Sequence, residues 1–172
     1  MDWAQATALI VPVITVVGAA VTVAITYGLN QRAGRRERQV KAFAEALTVI
    51  EDYANMPYRI RRRPDAPQAR HEISADLDKI QSQIAFQHAW LQIEAPEVAD
   101  AYDRLIRAAR SEAGQQMKEA WTQPPATSDK EMSLEGAYRR SETDKARYEC
   151  IAAMCIALGG RKSEITLRDF PR

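Results

Sequence analysis

The sequence predicts an all-α protein: one N-terminal transmembrane helix, then an antiparallel bundle of about four helices, with no sheet. Three observations carry that prediction. The run from Ala6 to Tyr27 holds no charged residue, although 27% of the chain is charged. Beyond it, apolar residues recur at three- and four-residue spacing in several long stretches, as one buried helix face requires. No segment sustains the alternation that marks a half-buried strand.

The apolar run is long enough at ~1.5 Å per residue to cross a ~30 Å hydrocarbon core. Trp3 and Tyr27 flank it, where aromatic rings favour the lipid–water interface. Asp2 is the only charged side chain before the run, whereas a cleaved signal peptide begins with basic residues. Arg32, Arg35, Arg36, Arg38 and Lys41 follow it, and no Lys or Arg comes before. The positive-inside rule then places the N-terminus outside and the C-terminal domain in the cytoplasm, as a single-pass protein of the cell (inner) membrane. Thr15, Gly18, Ala19, Thr22 and Thr26 fall on one face of this helix. Small residues in that pattern let helices approach closely, so the stripe is a candidate for self-association.

The chain divides into a membrane segment (1–30), a helical domain (31–158) and a basic tail (159–172). The first soluble helix, about 35–55, carries Val40, Phe43, Leu47, Ile50 and Ala54, with Gly34 as its weak point. The three prolines between Pro57 and Pro67 predict an irregular loop. A second helix, about 68–94, has a heptad-like stripe of Ile73, Leu77, Ile80, Ile84 and Leu91, interrupted by Gln87. Pro96 suits the first turn of a third helix, about 97–122. Its stripe is Val98, Tyr102, Leu105, Ile106, Ala109, Ala113, Met117 and Trp121. Ser128 and Glu131 read as a capping box opening a fourth helix to about Leu158, with Tyr138, Tyr148, Ile151, Ala152 and Cys155 inward. Gly159-Gly160 stops it.

Antiparallel helices of this length separate the basic segments. Arg59, Arg61, Arg62 and Arg63 fall roughly 35 to 40 Å from the bilayer, far beyond a Debye length of ~8 Å. They form a candidate loop for an acidic protein partner. Arg161 and Lys162 return to the membrane and join Arg32, Arg35, Arg36 and Arg38 as a collar for anionic lipid. A net charge of +1 argues against a polyanion such as nucleic acid as the main partner.

Chemistry-bearing patterns are sparse. The two histidines, His71 and His88, have no second ligand at metal spacing, no phosphate-cradling loop occurs, and no small-molecule substrate or cofactor is indicated. Cys150 and Cys155 point about 140° apart on a helix, which disfavours a mutual disulfide and suits small core residues. The reading that results is a non-enzymatic membrane protein that presents a helical interaction domain to the bilayer and to a protein partner or further copies of itself. The competing reading is a membrane-permeabilising, holin-like or pore-forming effector.

Overall fold

The computed structural model describes residues 3–128, 131 and 138–160; for 3–25, 28 and 29 it describes the backbone alone. Among the described residues the fold is all-α, with no strand. The helices are α1 (Trp3–Ala54), α2 (Met56–Arg61), α3 (Pro67–Glu94), α4 (Pro96–Thr122) and α5 (Ser141–Ala157). The chain divides into two compact units, Met1–Lys41 and Ala42–Arg172.

In the first unit, α1 passes Gly34 without a break. A Cβ at Gly34 would meet nothing within 4 Å, so the glycine answers no crowding there. The side chains of Arg32, Arg35, Arg36, Glu37, Arg38 and Lys41 are all exposed. The expected membrane span is corrected by this helix. Among the described residues no helix is long and apolar enough to cross a membrane. The stretch 6–25, on which the expectation rested, lies outside the residues whose side chains are described. The single-pass topology, the cell-membrane location, the bilayer as partner and the membrane-permeabilising alternative all depended on that span and are corrected with it.

In the second unit α4 is the central element and packs against α2, α3 and α5. Its stripe falls where the spacing placed it: Val98, Tyr102, Leu105, Ile106, Ala109, Ala113 and Met117 are buried. Each large apolar side chain so covered contributes about 1.5–3 kcal/mol. The last helical turns of α1 supply Phe43, Ala46, Ile50 and Tyr53 to the same core, and α3 supplies Ile80, Ile84 and Leu91. Phe43 meets Trp90 edge to face, with ring centroids 6.5 Å apart. The fully buried Tyr102 hydroxyl donates to the Ala46 carbonyl at 3.1 Å, which ties α4 to α1 and satisfies the phenol.

Two elements depart from the sequence expectation. The supposed loop after Met56 opens with α2, in which Met56, Pro57 and Ile60 are buried. Met56 and Ile60 sit one turn apart and share a face, and Pro57 takes an early position where its missing N–H is not needed. The final helix begins at Ser141, not Ser128. Glu131 does accept hydrogen bonds from the Thr127 N–H at 2.9 Å and the Thr127 and Ser128 hydroxyls at 3.1 and 3.3 Å. Residues 129, 130 and 132–137 lie outside the described set, so the predicted helix there does too. The inward face of α5 is Thr143, Cys150 and Met154, adjacent to the predicted face, with Tyr148, Ile151, Ala152 and Cys155 only half-buried.

The C-terminus of α5 is closed by its glycines. Gly159 adopts φ of +86°, in the left-handed region that favours glycine. The Gly160 N–H then donates to Cys155 O at 2.8 Å and the Gly159 N–H to Ile156 O at 2.9 Å, the paired bonds of a Schellman stop.

Candidate interaction surfaces

Arginine is the residue type that the sequence singles out, and the fold uses much of it internally. Arg63 donates to Ile60 O at 2.8 Å, Ala120 O at 3.2 Å and Gln123 O at 2.7 Å. Two of those carbonyls belong to the end of α4, where acceptors have no partner within the helix and a cation suits the dipole. The Arg63 and Arg70 guanidiniums each lie 5.0 Å from the Trp121 ring centroid, as cation–π contacts. Arg61 hydrogen-bonds the Pro124 carbonyl, and its own carbonyl accepts from the Ala126 N–H at 2.7 Å. Arg59 pairs with Asp76 on α3. Of the four arginines of the predicted partner loop, Arg62 is the exposed one with no such tie among the described residues.

A second charged cluster joins the end of α1 to the head of α5. The Glu51 carboxylate takes Arg140 at 2.9 Å and Arg147 at 2.6 Å, and Arg147 also reaches Asp144 at 2.9 Å. Beside it, Glu112 of α4 accepts from the N–H groups of Glu142 and Thr143 at 3.0 and 2.9 Å and from the Thr143 hydroxyl at 2.7 Å. Arg140, at the N-cap position, makes no side-chain cap. A carboxylate from a different helix therefore satisfies the free donors that begin α5. Partial burial pushes the Glu112 carboxyl up, but bonds from Thr143, Glu142 and Ser141 outweigh it and hold the group below the ordinary glutamate range. The signal available in the sequence was Thr143 alone, because nothing local marks a cap donated from thirty residues away.

In the two clusters the Asp76, Glu51, Asp144 and Glu112 carboxylates are each engaged by hydrogen-bond donors or arginine, and no group of histidine, cysteine, aspartate and glutamate among the described residues could hold a metal ion. His88 stands 4.0 Å from Asp103, and both are partly exposed. Cys150 is fully buried. Burial pushes its thiol up to about 12, against a smaller opposing effect of Arg104. The groove along Tyr27, Gln31, Gly34 and Arg38 is an open face of one helix, with the Gln31 amide donating to the Tyr27 hydroxyl at 2.9 Å.

Of the other sequence-selected residues, Arg32, Arg35, Arg36 and Arg38 lie exposed on α1, and Thr26 is exposed on the same helix. The side chains of Thr15, Gly18, Ala19 and Thr22, and the residues Arg161 and Lys162, lie outside the described set.

The surface that sequence reasoning missed is on α3. This helix packs against α4 and, to a smaller extent, α2. Its inward stripe includes Ile80, Ile84, Gln87 and Leu91. On the opposite side Phe86 is 65% exposed and Ile93 77% exposed. Seven residues apart, they share one helix face, with exposed Ala89 between them. In the sequence Phe86 and Ile93 form a second seven-residue register, apart from the heptad-like inward stripe.

Comparison with protein-family models, curated proteins and solved structures returns no match.

Proposed function

We propose that the protein is a non-enzymatic helical interaction protein that engages a protein surface, a partner's or its own, through the outward face of α3. The carrying observation is the pair Phe86 and Ile93, two large apolar side chains on one face with no role in the core. Isolated exposed apolar residues are ordinary on a protein surface. Here the two align along a single helix, and that alignment supports helix-face recognition. The charged groups that would otherwise attract attention are engaged in capping and in ion pairs within the bundle, which supports a scaffold rather than a reaction centre.

The test is site-specific photocrosslinking in cells with a benzoylphenylalanine at position 86, compared with one at exposed Lys118 on α4. Discrete protein adducts at 86 and few at 118 are expected. Equal, diffuse labelling at the two positions would refute the reading.

A further inference from the structure

The occupant of the α3 face can be specified from the charges beside it. The outward stripe runs Lys79, Ser82, Phe86, Ala89 and Ile93, all exposed. Large and small residues alternate along its C-terminal half. Glu94, also exposed, lies on the same flank of this stripe as Lys79 at 3.6 residues per turn. Neither Lys79 nor Glu94 forms an ion pair among the described residues, while Asp76 one turn earlier is already paired with Arg59.

A second copy laid antiparallel answers this pattern. It sets each Phe86 opposite Ala89 of the other copy, and each Ile93 opposite Ser82. The two-fold axis falls between Phe86 and Ala89, so the contact is isologous. Antiparallel helices bring like flanks together, and Lys79 of one copy then lies beside Glu94 of the other, twice. A parallel pair would stack Lys79 at the level of Lys79 and Glu94 at the level of Glu94. Charge complementarity therefore selects both the partner and the direction.

The area sets the strength. At the scale of about 150–250 Å² for a buried aromatic side chain, Phe86 and Ile93 together offer about 270 Å² per copy. With the short residues and the Lys79 stem included, the contact stays below the ~1,200 Å² total of standard stable interfaces. We infer that the protein forms a weak, exchanging antiparallel homodimer through the outward face of α3. This rests on the proposed interaction role of the same face and names its occupant.

Sedimentation velocity of the full chain over a concentration series tests it. A shift from monomer toward dimer is expected, lost in a Phe86→Glu, Ile93→Glu double variant. Lys79→Glu alone and Glu94→Lys alone each turn two attractions into repulsions and should weaken association about fivefold, at the scale of exposed charge pairs. Combining the two in one chain restores it, since each reversed charge again meets its opposite. Association that is absent, that survives the double glutamate variant unchanged, or that fails to recover on charge reversal overturns the homodimer. If the homodimer fails while position 86 still captures a discrete different protein in the crosslinking assay, the interaction role stands with another occupant. If both fail, the role falls with it.

Discussion

Replacing Glu112 by glutamine keeps the shape of the side chain while removing the charge that begins α5. The carboxylate receives three donors at 2.7 to 3.0 Å. Glutamine retains one oxygen that can accept, and turns an N–H2 group toward at least one of those donors. Hydrogen bonds to charged groups are each worth about 1.5–3 kcal/mol. Partial exposure lets water replace part of that, and loss of a good N-cap costs about 0.5–2 kcal/mol. A net loss of about 1.5 kcal/mol is expected. At a urea slope of about 1–3 kcal/mol per molar, the unfolding midpoint should fall by roughly 0.5–1.5 M. The pH dependence follows from the direction of the carboxyl shift. The folded pKa lies below the ordinary glutamate value. The stabilisation is therefore complete above the unfolded value of about 4.3 and is lost as pH falls through the folded value. The gap between wild type and Glu112→Gln should be widest near neutrality and close at pH values below the ordinary carboxylate range. A gap below about 0.5 kcal/mol at pH 7, or one of equal size at pH 7 and pH 3, would refute the capping argument.

Other parts of the fold make sharp statements as well. Arg63→Met keeps an apolar stem for Trp121 but leaves the Ala120 and Gln123 carbonyls without their donor; a loss of about 1–3 kcal/mol in urea unfolding is expected. Tyr102→Phe removes the bond to Ala46 O from a fully buried site and should cost about 1 kcal/mol by the same measurement. With its thiol pushed up to about 12, Cys150 should resist a thiol-reactive dye at pH 8 in the native protein, while the half-buried Cys155 reacts and both react after unfolding.

The fold was legible where periodicity met a single buried face. The α4 stripe is the clearest case, because a central helix needs one long unbroken set of apolar positions and Val98 through Met117 supplies it. The helix breaks at Pro96 and Gly159 were legible for a local reason, proline suiting a first helical turn and glycine the left-handed stop. Local reasoning failed where a distant residue decides the outcome. Ser128 and Glu131 had the chemistry of a capping box, but α5 begins at Ser141, where Glu112 provides the cap from another helix. The uncharged run from Ala6 to Tyr27 led composition alone to a membrane span, whereas no helix among the described residues is long and apolar enough to cross one.

The arginine segment shows what charge by itself leaves out. Arg59, Arg61, Arg62 and Arg63 form a dense basic run, and a dense basic run in a loop reads as a docking site. Burial of Met56 and Ile60 converts its first half into α2, which brings Arg61 and Arg63 against the end of α4. The C-terminal carbonyls there lack donor partners within their own helix. Guanidinium is suited to that position because its fork can serve several carbonyls while its plane lies over an indole, as Arg63 does with Ile60, Ala120, Gln123 and Trp121.

For the α3 face the reverse holds, and the claim that it does no work inside the molecule can be checked directly. Fully burying side chains such as Phe86 and Ile93 would contribute about 1.5–3 kcal/mol each, but at 65% and 77% exposure most of that contribution is unrealised in the single chain. Substituting each by lysine should then leave the unfolding midpoint of a dilute sample within the ±0.5 kcal/mol usual for surface changes. The same substitutions at Ile84 or Leu91, both buried on the opposite side of α3, should cost at least 3 kcal/mol through an unpaired buried charge and lost packing. The contrast is the test. A dilute Phe86→Lys or Ile93→Lys variant that loses more than about 1 kcal/mol would show that the side chain is engaged within the bundle, and a face engaged internally is not available for recognition.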